Sequence, residues 1–140
     1  MDPHAHPVLA DVLALMLSSD HHCRYTVDTV MRCIVPPIHL GQHIGVERNG
    51  RFVAWASWAW LTPSKAEAFL AGDYNIQPGD WRSGDTLVFM DFIAPDGDAR
   101  ALYRTLRNLF ATIPADIVPG AAWVRFTKHG RIGVANNGQR

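Results

Sequence analysis

The chain has 140 residues, 48% of them hydrophobic and 10% aromatic, with thirteen basic side chains against thirteen acidic ones. That balance fits one packed domain over residues 1–140 and excludes disorder, and it gives no charge-based case for binding nucleic acid or a membrane surface. Cys23 and Cys33 fit neither a disulfide framework nor a Cys-x-x-Cys zinc spacing, so thiols in a reducing compartment are expected. The first residues lack the basic region of a signal peptide, and Val8–Leu17 is too short to insert stably in a membrane, so a cytoplasmic location is expected.

Along the chain, Pro7 to Leu17 places Val8, Leu9, Val12, Leu13, Met16 and Leu17 at helical spacing. Ser18-Ser19-Asp20 breaks that pattern. Thr26 to Ile34 reads as a second helix that Pro36-Pro37 should end. Gln42–Arg48 and Arg51–Leu61 alternate like strands around Asn49-Gly50, the strongest short-range hairpin signal. On the second strand Trp58 and Trp60 share one face and Trp55 the other, for core packing or the lining of a channel. Ser64–Ala71 suggests a brief helix, Thr86–Ile93 a buried strand, and Ala99–Phe110 an amphipathic helix capped by Asp98. That helix should turn Leu102, Leu106, Leu109 and Phe110 inward. Trp123–Thr127 and Ile132–Ala135 close the pattern as strands joined at His129-Gly130. Together these elements make an α+β layer fold.

One residue conflicts with its surroundings. Asp91 sits in the apolar run Phe89, Met90, Phe92, Ile93, and a carboxylate there is costly unless something pairs with it. Asp80-Trp81, Ser83-Gly84-Asp85 and Asp91-Phe92-Ile93-Ala94-Pro95 with Gly97-Asp98 also form a recognisable set. Ser18-Ser19-Asp20-His21-His22 followed by Tyr25, Ile34-Val35-Pro36-Pro37-Ile38, and Val53-Ala54-Trp55-Ala56-Ser57-Trp58-Ala59 precede them in order. This series resembles the RTX-toxin-activating lysine acyltransferases of the haemolysin-activating type, from about Leu13 to Phe110.

The resemblance implies a single-domain GNAT-like fold, a mixed central sheet flanked by helices. It implies transfer of a fatty acyl group from acyl carrier protein to lysine side chains of a protein such as an RTX protoxin. It aligns His22 with the family's essential histidine. An imidazole suits that role, since it can take a proton from an ammonium near neutral pH or carry the acyl group itself. Asp91 would orient that ring and stabilise its cation. Ser19 is a weaker candidate, either touching a substrate carbonyl or capping the break between helices.

No bound cofactor is expected. Where CoA-dependent GNAT enzymes grip a pyrophosphate, this chain reads Ala94-Pro95-Asp96-Gly97-Asp98-Ala99-Arg100, whose carboxylates repel one. Arg100, Arg104 and Arg107 recur at helical spacing, as a docking face for an acidic carrier or as an ordinary solvated face. No metal is expected either. His21-His22-Cys23 are adjacent residues that cannot easily share one ion, and no spaced second pair follows. A homodimer would cover the apolar surface this composition implies. Arg125–Arg131 replaces the family's late Glu-Phe-His-Gly-Gly-Lys motif. The sequence then stops near Arg140, where the family usually continues with a further helix, and that shorter C-terminus motivates an alternative: a catalytically degenerate member that binds a protein or an acyl carrier. An acetyl-CoA-dependent N-acetyltransferase is a third reading, which the missing pyrophosphate loop disfavours.

Overall fold

A computed structural model describes residues 5–111, 122–127 and 130–136. Helix α1 (Ala5–Leu17) leads through a 3₁₀ turn (His22–Arg24) to a continuous helical stretch. That stretch is α2 (Val27–Thr29), a π turn (Val30–Ile34) and α3 (Val35–Leu40). Strands β1 (His43–Arg48) and β2 (Arg51–Leu61) follow, then α4 (Pro63–Ala71), β3 (Thr86–Ile93), α5 (Ala99–Phe110), β4 (Ala122–Thr127) and β5 (Gly130–Asn136). The five strands lie in chain order in one sheet. All neighbours are antiparallel except β3 and β4. The result is the expected α+β architecture with a mixed sheet.

The β1–β2 hairpin turns at Asn49 (φ 55°) and Gly50 (φ 75°), the pair of left-handed residues that a two-residue turn needs. Three expectations fail in the helices. Pro36-Pro37 does not end the second helix. The turn before it is π-wound, with the Val35 amide donating to the Val30 carbonyl. The prolines therefore open a fresh α segment, where missing N–H groups cost nothing. Asp98 does not cap α5 through its side chain. Its carboxylate accepts from Arg48 Nη2 at 2.8 Å, and this charge-assisted bond outcompetes a neutral amide. Leu102 and Leu106 on α5 are buried as expected, but Leu109 is exposed.

The sheet separates two layers. On one face α1, the π turn and α3 bury Val12, Leu15, Met16, Ile34 and Ile38 against Trp55 and Ile93. On the other, α5 packs Leu102 and Leu106 on Ala54, Ala56, Trp58, Leu87 and Phe89, with Phe110 edge-on to Trp58. A third cluster joins Ala66 of α4, Ile76 and Trp81 to Ala59, Leu61 and Val88.

Asp80 ties this third region together from a buried position. It accepts from Lys65 Nζ at 2.8 Å, from the Tyr74 hydroxyl at 2.5 Å and from the Gln77 amide at 2.7 Å. Burial alone would push the Asp80 pKa up, but these donors outweigh it and hold the carboxyl below its ordinary value.

A bulge in β3 decides which layer Asp91 faces. Asp91 pairs with Ser57 and Phe89 with Trp58, so Met90 is one inserted residue. Strict alternation would put Asp91 beside Leu87 and Phe89 under α5. The extra residue turns it instead to the face carrying Trp55 and α1. The parallel β3–β4 ladder covers Val88–Ala122 and Phe89–Trp123 and does not continue to Asp91.

Candidate functional site

The break after α1 folds into a tight turn in which the Cys23 amide donates to the Ser19 carbonyl at 2.9 Å. Residues three apart on such a turn share a side, which brings Ser19 against His22. Ser19 Oγ lies 2.8 Å from His22 Nδ1 and also accepts from the His22 amide at 3.3 Å. The hydroxyl therefore does two things: it closes the turn and it touches the ring.

His22 is buried and directs its other nitrogen at the sheet, with Nε2 3.1 Å from Asp91 Oδ1. The Tyr25 hydroxyl donates to the same carboxylate oxygen at 2.7 Å. A carboxylate only accepts, so Nε2 carries the hydrogen and the neutral ring keeps its lone pair on Nδ1, facing Ser19. The four side chains thus form one hydrogen-bonded line, Ser19–His22–Asp91–Tyr25.

The electrostatics support that order. Burial, followed by the Asp91 charge and hydrogen bond, raises the Tyr25 pKa far above its ordinary value, so Tyr25 stays a phenol donor. Burial, and next the His22 ring, lower the pKa of His21, whose ring stacks edge-on against both His22 and Tyr25. The Cys33 thiol is pushed up to about 11 by burial and then by Asp91, which makes it a poor nucleophile.

Chemically, the arrangement offers a general base at Nδ1. Its tautomer is set by a buried carboxylate, and a hydroxyl sits at the basic atom. A groove of about 270 Å³ opens beside it, lined by Leu13, Ala14, Met16, Leu17, His22, Cys23, Tyr25 and Val30.

The structure thus brings Ser19, His22 and Asp91 together and leaves the arginines elsewhere. Arg100, Arg104 and Arg107 are exposed on α5, the helix that covers the opposite face of the sheet. Trp55, Trp58 and Trp60 do not line the groove beside His22. Trp55 is buried core, and Trp58 and Trp60 border a shallow hollow of about 480 Å³ near Arg82 and Asp85.

Sequence reasoning gave no role to Tyr25 or Ser57. Tyr25 stands three residues after His22, the spacing of a shared helical side, and that signal was available. Ser57 is fully buried opposite Asp91, and its hydroxyl has no hydrogen-bond partner among the described residues. Only the register of the ladder could have revealed it.

Comparison with solved structures places the fold. The GphF GNAT-like decarboxylase in complex with isobutyryl-CoA superposes with a TM-score of 0.57 at 15% identity, covering 87% of this chain and 64% of that one. The loading GNATL domain of CurA from Lyngbya majuscula also gives 0.57 at 15% identity, over 88% of this chain and 62% of that one. Both establish a GNAT-like fold and nothing further.

Sequence relatives are more specific. RTX-II toxin-activating lysine-acyltransferase ApxIIC of Actinobacillus pleuropneumoniae is 31% identical over 79% of this chain and 67% of its own length. Protein-lysine myristoyltransferase HlyC of Escherichia coli is 34% identical over 74% of this chain and 59% of its own length. Lysine-acyltransferase RtxC of Vibrio cholerae is 33% identical over 72% and 67%. The chain thus matches between 59% and 67% of the length of these relatives. Residues 2–122 match the family profile as a whole, so the chain belongs to the RTX toxin acyltransferase family.

Proposed function

We propose that this chain is a protein lysine acyltransferase that moves a fatty acyl group from acyl carrier protein to the ε-amino group of a lysine. The observation that carries this reading is the buried Ser19–His22–Asp91–Tyr25 line, which leaves a basic nitrogen beside an apolar groove. A lysine arrives as an ammonium and must lose a proton before it can attack. His22 Nδ1 takes that proton, directly or through the Ser19 hydroxyl, while Asp91 stabilises the imidazolium. The amine then bonds to the thioester carbonyl carbon and the carbon–sulfur bond breaks; of the two protons the nitrogen loses, one passes from His22 to the thiolate and the other leaves to solvent.

The acceptor is a protein of the protoxin class named for the relatives, and the setting is the cytoplasm, where charged carrier is made. The Arg100, Arg104 and Arg107 row is the docking face for the acidic carrier. From there the thioester arm would reach His22 through the gap where the β3–β4 ladder stops.

A second reading rests on Ser19. A hydroxyl hydrogen-bonded to a histidine that is bonded to an aspartate is also the order of an activated nucleophile. In that case an acyl-Ser19 ester forms before lysine attacks.

The test is mass spectrometry after incubation with long-chain acyl carrier protein and a lysine-bearing protoxin fragment. Acyl-lysine formation that is lost in both His22→Ala and Asp91→Ala, with the fold retained, supports transfer. Carrier binding with no turnover sinks it and favours the degenerate, carrier-binding relative. A trapped mass increment on the peptide holding Ser19 selects the second mechanism.

A further inference from the structure

The acyl-transfer reading leaves open where the apolar tail of the donor lies. Four of the six large hydrophobic side chains exposed among the described residues sit on α1 and the helical stretch after it: Leu13, Leu17, Val27 and Met31. Leu17 and Val27 are 78% and 80% exposed. Leu13 and Leu17 are one helical turn apart and form a wall of the His22 groove. Val30 forms part of the other wall, and Val27 and Met31 adjoin it in the sequence of the α2 and π turns. Leu13 and Leu17 thus leave apolar surface uncovered along the groove itself, which is the usual surrounding of a binding site.

We infer that this groove is the acyl-chain subsite: the donor's hydrocarbon tail lies between α1 and the α2–π stretch, with its thioester carbonyl at His22. Three observations select an acyl chain over a polypeptide. The lining contains no Asp, Glu, Lys or Arg, so nothing in it would pair a peptide's charged groups. At about 270 Å³ the groove lies just below the range of small-molecule sites, a volume that suits one slender chain. Its polar groups, His22, Tyr25 and Cys23, lie close together in sequence, which matches a ligand that is polar at one end and apolar along its length.

The inference rests on the acyl-transfer reading, and two measurements separate them. In the first, Ala14→Trp fills the groove, and transfer is compared from carrier loaded with tetradecanoyl or butyryl groups. The ratio of kcat/KM for the long over the short chain should fall by about tenfold or more. An unchanged ratio in the folded variant overturns the subsite. Leu17→Asn reads the same ratio if the tryptophan variant does not fold. The second measurement needs no turnover. Cys23 is exposed and lines the groove, so its alkylation by iodoacetamide can be followed by peptide mass spectrometry. Tetradecanoyl carrier should slow that alkylation several-fold relative to unloaded carrier, and equal rates overturn the subsite. A wild-type chain that transfers no acyl group yet shows Cys23 protection would sink the enzymatic reading and leave the groove assignment standing.

Discussion

Asp91 faces Ser57 across the β2–β3 ladder, while one step along Trp58 faces Phe89, and the residue left over between them is Met90. That insertion turns the carboxylate out of the α5 layer and onto the face where His22 and Tyr25 reach it. The dyad therefore depends on a local irregularity as much as on the identity of its members.

Replacing Asp91 by Asn tests what the carboxylate does. The amide can present its own N–H to Nε2, which moves the ring hydrogen to Nδ1 and removes the base from the side facing Ser19. Transfer should fall by about 10³ to 10⁴ while the thermal midpoint changes little. Combining Asp91→Asn with His22→Ala should cost scarcely more than His22→Ala alone, because the two act as one unit. Additive losses in single-turnover assays would contradict that coupling.

Tyr25→Phe deletes one of the two donors to Asp91 among the described residues and should destabilise the fold by about 1–2 kcal/mol. It should also change the alkaline limb of stability. The folded phenol pKa is raised, so its contribution is complete below the unfolded value of about 10 and is lost as pH rises beyond it. Denaturant midpoints measured between pH 8 and about 11 should fall more steeply for the wild type than for Tyr25→Phe.

Asp80 gives the opposite sign at the acid end. Its folded pKa lies below the ordinary 3.8, so its stabilisation is present above that pH and is lost as pH falls through the folded value. Asp80→Asn should lower stability at pH 7 and flatten the decline below about pH 4. Urea midpoints across the acid range would show it, and parallel curves for the two proteins would refute it.

Gly84 approaches the end of β2 so closely that an added Cβ would fall on the Leu61 carbonyl group and the Thr62 amide nitrogen. These are backbone atoms and cannot swing aside. Gly84→Ala should therefore cost about 1–3 kcal/mol, seen as a lower thermal midpoint.

Charge reversal of Arg100, Arg104 and Arg107 tests the docking face. The triple Glu variant should raise KM for carrier-borne donor far more than for a small soluble acyl thioester. The difference should shrink as salt is added, because exposed charges mainly set the association rate. Equal effects on both donors would leave the row as a solvated helix face.

Much of this was readable from residue order. The alternation around Asn49-Gly50 specified the hairpin, because its two positions with positive φ suit Asn and Gly. The periodicity of Leu102 and Leu106 specified the buried stripe of α5. The motif around His22 and the isolated carboxylate at Asp91 marked both members of the dyad, since an aspartate amid apolar residues has to be compensated.

Their meeting was decided only by the tertiary structure. Period-two reasoning places Asp91 under α5, and a one-residue bulge that no local propensity announces moves it to the other face. The π turn that carries the chain through Pro36-Pro37, the Arg48 contact that draws Asp98 away from its helix, and the pairing of Tyr25 with a residue 66 positions away are likewise long-range or conformational choices. Short-range preferences determined the elements of this chain. Packing energy between distant segments determined which side chains face one another.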